Sequence, residues 1–181
     1  LLLTSKDLSF IEKIDGVDWA IGYIIKTDQV KFRGEAEVEY IAGVTPEDMA
    51  LNLKLQGVGI VDGRNFKDDD KFKAIVGYNH AVDGKIWERG ITVGEKIEIE
   101  GEEFKVVGVM GKIGNPFDDA NIYVPKETLK EILDIEDEET QILVKASAGS
   151  NVTQVAETIE RKLRNFRNEK EEQETFTVST S

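Results

Sequence analysis

The sequence predicts an α+β fold in which a discontinuous α/β subdomain is built from both chain ends and a β-rich subdomain is inserted between them. Three observations predict it. Period-2 alternation and helical spacing of apolar residues occur together near each end of the chain. Glycines at 57, 59, 63, 77, 84, 90, 94, 101, 108, 111 and 114 cut the middle into short strands. With 181 residues, 40% of them hydrophobic, the chain is long enough and apolar enough to bury a core. The expected boundaries are 1–55 with 138–181 for the terminal subdomain and 56–137 for the insertion.

Taken in order, Thr4-Ser5-Lys6-Asp7 has capping-box spacing, and Leu8, Ile11 and Ile14 recur along one face of a short helix that Gly16 would close. Val17, Trp19, Ile21, Tyr23 and Ile25 alternate as in a half-buried strand, with Asp28-Gln29 as its expected turn. A returning strand carries Ala36, Val38, Tyr40, Ala42 and Val44. It stops at Thr45-Pro46, where Thr caps a short helix and Pro takes its first position.

In the middle, Ile97-Glu98-Ile99-Glu100 and Phe104-Lys105-Val106-Val107-Gly108-Val109 flank Gly101-Glu102-Glu103 as a hairpin. The 111–121 loop, with Asn115-Pro116 and Asp118-Asp119, is long enough to be mobile and leads into the strand Ile122-Tyr123-Val124; Pro125 opens the next helix, to about Leu133. Near the end, a strand over 141–146 precedes a helix with Val152, Val155, Ile159, Leu163 and Phe166 at helical spacing, capped by Asn151. After the charged 168–174 connector, Phe176 and Val178 mark a final strand, completing a parallel βαβ unit. Each terminal segment can bury only one face, so the two are expected to share a sheet and leave the domain on one side.

Composition excludes several functions. Asp and Glu outnumber Lys and Arg 36 to 23, a net charge of −13 that repels phosphate backbones, so no nucleic-acid partner is expected. The absence of Cys removes disulfides, thiolate catalysis and Cys-ligated metals. The sequence holds no run of about 18 apolar residues, the length needed to span a bilayer. The chain opens Leu1-Leu2-Leu3 without an initiator Met, so the expectation is a piece of a longer protein with a membrane segment just before it.

Several fragments in order resemble the MacB-type core domain of FtsX-like ABC transporter permeases. They are Ile14-Asp15-Gly16-Val17, Ile41-Ala42-Gly43-Val44-Thr45-Pro46, Val61-Asp62-Gly63-Arg64-Asn65-Phe66, Val93-Gly94-Glu95-Lys96-Ile97, Phe104-Lys105-Val106-Val107-Gly108-Val109, Ile122-Tyr123-Val124-Pro125 and Lys162-Leu163-Arg164. The resemblance covers essentially the whole chain. It implies a porter-like terminal subdomain, with Gly63, Arg64, Gly94, Gly108 and Pro125 as structural motif residues. It also implies a plasma-membrane protein with this domain on the extracytoplasmic side, following the first of four transmembrane helices of its own permease chain. The implied partners are a cytoplasmic ABC ATPase, a second permease copy in a homodimer and an unknown exported substrate. Catalysis, a cofactor and a metal are not part of what it implies for this domain.

Among individual residues, Asn115, Pro116, Phe117, Asp118 and Asp119 are the candidates for partner or substrate contact, Phe117 because an aromatic in a long loop supplies interface area. Trp19, Tyr23, Phe32 and Trp87 are weaker aromatic candidates, Trp19 and Tyr23 reading as core. Asp68-Asp69-Asp70 offers hard oxygen ligands, but consecutive residues in a regular strand cannot all face one ion, so it reads as a solvated run. Gly63-Arg64 reads as a turn with Arg64 paired to an acid rather than as an anion site. His80, the only histidine, lacks an evident nucleophile and reads as a surface or packing residue; Asn151 is explained as a helix cap as well as by its Asn-Val-Thr acceptor pattern. The alternative to a transport module is a ligand-, peptide- or partner-binding sensing domain; a paired-carboxylate hydrolase has only the abundance of acids behind it.

Overall fold

A computed structural model describes residues 2–180, so Leu1 of the opening leucine triplet lies outside the described residues. The chain divides into two compact units, Leu1–Gly22 with Asp137–Ser181 and Tyr23–Glu136. The division falls after Gly22 rather than near residue 55.

The terminal unit brings the two chain ends together. Helix α1 (Ser5–Glu12) starts at the capping box: Asp7 donates its amide N–H to Thr4 Oγ1 and accepts the Thr4 N–H on Oδ2 at 2.9 Å. Helix α4 (Val152–Phe166) is capped by Asn151, whose Oδ1 accepts the Gln154 N–H at 3.0 Å. Val155, Ile159 and Leu163, on one face of α4, bury against Ile11, Ile14 and Ala20. Strand β8 (Gln141–Ala146) adds Ile142 and Val144 to this cluster and hydrogen-bonds to β1 (Val17–Phe32). A fully buried Ile or Leu contributes about 1.5–3 kcal/mol, so this cluster alone can hold the helices in place.

The expected final strand does not form: residues 174–180 join no ladder. Side chains of α4 and of the residues after it hold this segment instead. Thr175 donates its N–H to Glu169 Oε1 at 3.1 Å, Arg167 Nη2 donates to Thr175 Oγ1 at 2.9 Å, and Arg164 Nη1 holds Glu174 Oε1 at 2.9 Å. Phe176 and Val178 still turn inward onto the α1–α4 cluster, so their alternation marks burial without a sheet. Arg167 Nη1 also meets Asp7 Oδ2 at 2.5 Å with both side chains nearly buried, an ion pair across 160 residues of sequence.

The middle unit is a ring of strands. Ile24 to Phe32 of β1 pairs with β2 (Glu35–Val44), and the order runs on through β7 (Ile122–Pro125), β4 (Lys73–Val76), β6 (Glu102–Met110) and β5 (Lys96–Ile99) back to β1. β1 and β2 therefore supply two of its six strands, which is why 23–55 belong with the middle. Strand β3 (Ile60–Gly63) pairs with β6 outside the ring. Closure removes sheet edges where the pairing is complete.

Both hairpins turn where two successive residues adopt positive φ, the requirement of a two-residue type I′ turn. β1 and β2 reverse at Arg33 (φ 50) and Gly34 (φ 82), not at Asp28-Gln29, which lie mid-ladder opposite Glu39 and Val38. β5 and β6 reverse at Glu100 (φ 52) and Gly101 (φ 76), with Ile99 opposite Glu102. The ring encloses Ile24, Val30, Ile97, Phe104, Val106 and Ile122, with Trp87 and Ile91 closing it from the 82–95 segment. Helix α2 (Pro46–Gln56) is capped by Thr45, and helix α3 (Lys126–Leu133) puts Leu129 into the same apolar cluster; Leu129 comes so close to Gly43 of β2 that an added Cβ would sit 3.0 Å from it.

Candidate functional site

The 111–121 loop is organised by one buried carboxylate. Asp119 accepts the Ile113 N–H on Oδ1 at 2.8 Å and the Gly114 N–H on Oδ2 at 2.9 Å, while its own N–H donates to Asn115 O at 2.9 Å. Asn115 Oδ1 in turn accepts the Phe117 N–H at 2.9 Å. A loop so bonded is an ordered shelf rather than the mobile connector its length suggests, and Asp119 is a structural carboxylate rather than a contact residue.

The shelf is anchored from beneath by a turn of 3-10 helix over Tyr78–Ala81. Gly77 donates its N–H to Asn121 O at 2.8 Å, and a Cβ at Gly77 would lie 2.4 Å from Asp119 O, so only glycine allows that approach. His80 is fully buried. Its Nδ1 accepts the Trp87 Nε1–H at 3.0 Å, which leaves Nε2 to donate to Ala120 O at 2.7 Å and assigns the neutral Nε2-protonated tautomer. Burial pushes the imidazole down to about 4 against the favourable Ala120 carbonyl. His80 is thus a packing residue rather than a surface one, and Trp87 spends its ring and N–H inside the unit.

Above the shelf three large apolar side chains stand out of the surface: Val38 (65% exposed), Tyr40 (43%) and Phe117 (60%). The Tyr40 and Phe117 rings meet at 4.9 Å between centroids, tilted by 49°. Val38 and Tyr40 are two residues apart on β2 and share a face. Pro116 and Asn115 are exposed beside them and Asp118 is half-buried. Tyr23, Phe32 and Trp87 are buried and contribute nothing to this patch; the Tyr23 hydroxyl donates to Asn52 Oδ1 at 2.9 Å, and burial raises its pKa. Trp19 is half-buried in the terminal unit.

Carboxylates flank the patch. Glu35, Glu37 and Glu39 project from the opposite face of β2, and Asp28 sits across the ladder from Glu39. Burial, reinforced by Glu37, pushes Glu39 up to about 7. Glu100, raised by its hydrogen bond to Asp28, extends the acidic group onto the β5–β6 turn. Neither Val38 nor Glu39 stands out in the sequence, since each sits in an ordinary alternating strand. Only the position of Phe117 beside Tyr40 makes the strand face a site.

The motif glycines serve backbone packing. Gly63 has φ +77, and a Cβ there would fall 2.0 Å from Val107 O; one at Gly108 would fall 2.5 Å from Arg64 O. Arg64 pairs with Asp70 through Nη1 at 2.7 Å and Nη2 at 3.3 Å, which keeps the Asp70 carboxyl below its usual range. Gly94 turns at φ +98 before β5, and Pro125 ends β7 at the start of α3. Among the described residues no group of three or more His, Asp or Glu is arranged to hold a metal, and none of their helices is long and apolar enough to cross a membrane.

Three comparisons bear on identity. The family model described as the MacB-like periplasmic core domain matches residues 2–162. An uncharacterized ABC transporter permease of Methanocaldococcus jannaschii is 28% identical over 163 residues, covering 90% of this chain but 40% of its own length. The fold matches the crystal structure of the extracellular domain of the noncanonic ABC-type transporter YknZ from Gram-positive bacteria, at TM-score 0.77 and 20% identity over 99% of this chain and 90% of that one. It also matches the periplasmic region of MacB from Actinobacillus actinomycetemcomitans, at TM-score 0.75 and 15% identity over 94% and 77%. The chain belongs to the MacB-like periplasmic core domains, the extracytoplasmic domains of ABC transporter permeases.

Proposed function

We propose that this domain is a non-catalytic transport module that moves as a body when a cytoplasmic ABC ATPase dimerises and so couples hydrolysis to export or release of a substrate outside the membrane. The observation that carries the reading is the match of the family model to residues 2–162. Internal stiffness supports it: the middle unit is a hydrogen-bonded ring around a filled core, and the terminal unit has its own apolar cluster and a buried ion pair. Force reaching stiff units is passed on rather than absorbed in local unfolding. The partners in this reading are the transmembrane helices of the same permease chain, the ATPase, a second permease copy and an exported substrate.

The test uses the intact permease with its ATPase. The domain has no native cysteine, so single cysteines at exposed positions such as Leu55, Phe117 and Val152 can be crosslinked to the second copy one at a time. A crosslink that forms should leave ATP hydrolysis running and stop export. Unchanged export with the domains tied together would remove the mechanism.

A second reading, a domain that binds a ligand or partner without transport coupling of its own, draws on the exposed Val38–Tyr40–Phe117 patch, with Asn115, Pro116 and Asp118 at its margin. Replacing the exposed 115–117 tip of the loop by glycines, with Asp119 kept, should then abolish binding while the fold survives. Binding that persists in that variant would remove the loop from the contact surface.

A further inference from the structure

We propose that the open edge of β2 beside Phe117 takes up an extended segment of a partner protein in which apolar residues alternate with lysine or arginine. The proposal rests on the reading of the Phe117 loop as a contact surface and names what it contacts.

β2 is paired on both sides only in part. Its ladder with β1 runs from Glu35 to Gly43, whereas β7 covers only Ile41 to Val44 on the other side. Among the described residues the second edge of 36–40 therefore has no ladder partner, and its outward N–H and C=O groups are free to pair. Edges of this kind are commonly blunted by proline, charged side chains, a bulge or a covering segment, and the charges here are Glu37 and Glu39, which a cationic partner would neutralise. Residues 36–40 carry no proline or lysine and keep an unbroken register with β1. A peptide adding there would gain main-chain hydrogen bonds, with side chains read alternately on the two faces.

The two faces specify that alternation. One presents Val38 and Tyr40, extended by Phe117 against the Tyr40 ring. The other presents Glu37 and Glu39, with Asp28 across the ladder. Glu35 is already engaged, accepting the Glu88 N–H at 3.0 Å, so the readable stretch begins after it. Glu39 is half-buried, its charged form is disfavoured, and no cation pairs with it among the described residues; an incoming ammonium would relieve that burial. Neighbouring strands hold facing side chains about 4.5–5.5 Å apart, close enough for each lysine to meet a glutamate. A second copy of this chain fits poorly, because antiparallel pairing of two β2 edges sets glutamate against glutamate.

The experiment measures binding of the 181-residue chain to a labelled heptapeptide alternating isoleucine with lysine, by fluorescence anisotropy at low and moderate salt. Three controls accompany it: a peptide with glutamate for lysine, one N-methylated at alternate amides, and the E37K/E39K variant of the chain. Tight binding is expected only for the lysine peptide. The glutamate and N-methyl peptides should each bind at least about tenfold more weakly, and E37K/E39K should reverse the charge preference. Phe117→Ser should weaken the lysine peptide several-fold. No binding, or equal binding of the lysine and glutamate peptides, overturns the proposal. Binding that ignores N-methylation but needs Phe117 overturns edge pairing and leaves the contact loop standing. Binding indifferent to Phe117→Ser overturns the contact-loop reading, and this proposal with it.

Discussion

Replacing His80 by alanine tests how the 111–121 shelf is held. The imidazole satisfies two buried groups, the Trp87 N–H through Nδ1 and the Ala120 carbonyl through Nε2. Each group left without a partner costs about 1–3 kcal/mol. The ring's lost packing at a fully buried site adds to this. His80→Ala should therefore cost about 3–6 kcal/mol, a large share of the 5–15 kcal/mol typical of a whole domain. Urea unfolding followed by tryptophan fluorescence measures it, and hydrogen exchange at 118–121 should speed up beyond the global change. The pH dependence gives a second, independent readout. Above pH 6.5 the side chain is neutral in both states and its contribution is complete. As pH falls from 6.5 toward about 4, the unfolded chain takes up a proton that the native state refuses, and about 3 kcal/mol of stability is lost. The deficit of the variant should therefore narrow over that window. A cost under about 1 kcal/mol, or a deficit that is flat with pH, would refute the assigned tautomer and its role.

Three further outcomes are expected. Gly63→Ala combines positive φ with a Cβ placed 2.0 Å from a backbone oxygen, so it should destabilise by about 3 kcal/mol or more in thermal unfolding, against a smaller loss of about 1 kcal/mol for Gly84→Ser, where φ is also positive but the space is open. Glu39→Gln should stabilise the chain at pH 8, by about 1 kcal/mol after allowance for solvent screening. The folded carboxyl titrates near 7 instead of 4.5, so its penalty is present above 7 and gone by 4.5; an equal gain at pH 8 and pH 4.5 would contradict this. Arg167→Ala strands the buried Asp7 carboxylate and should cost about 3–5 kcal/mol, while Asp7→Asn with Arg167→Met should recover much of it in a double-mutant cycle.

What the sequence made legible is what short segments determine. The capping box at Thr4 and Asp7, the Thr45-Pro46 and Asn151 helix starts and the β5–β6 hairpin follow from residues a few positions apart. The Arg33-Gly34 turn was missed because Asp28-Gln29 looks locally like a turn: Asp28 Oδ1 does accept the Gln29 N–H at 2.7 Å, but within a continuous strand. Ring closure, and with it the assignment of 23–55 to the middle unit, depends on β1–β5 and β2–β7 pairings between strands about 70–80 residues apart, which no local pattern encodes. The C-terminal strand failed for the opposite reason. Phe176 and Val178 alternate correctly, but Glu169, Arg164 and Arg167 intercept the neighbouring groups.

The candidate site divides in the same way. Phe117 is readable as an exposed loop aromatic because Pro116 and the acids around it disfavour burial. Tyr40 as its partner is not, since 77 positions separate them and the contact exists only once β2 and β7 are parallel neighbours. His80 was unreadable for a similar reason: its partners are 7 and 40 residues away, and a lone histidine gives no pattern.

The most direct test of the account is the distance between the two copies of this domain that the proposed permease homodimer, assembled with its ATPase, would contain. Spin labels on Leu55→Cys, an exposed site on α2 outside the contact patch, report it by pulsed dipolar spectroscopy in the nucleotide-free and ATP-trapped states. A module that transmits the ATPase stroke should show a shifted distance distribution on trapping, without broadening inside either copy. Identical distributions in both states, with ATP hydrolysed and substrate exported at the normal rate, would contradict it.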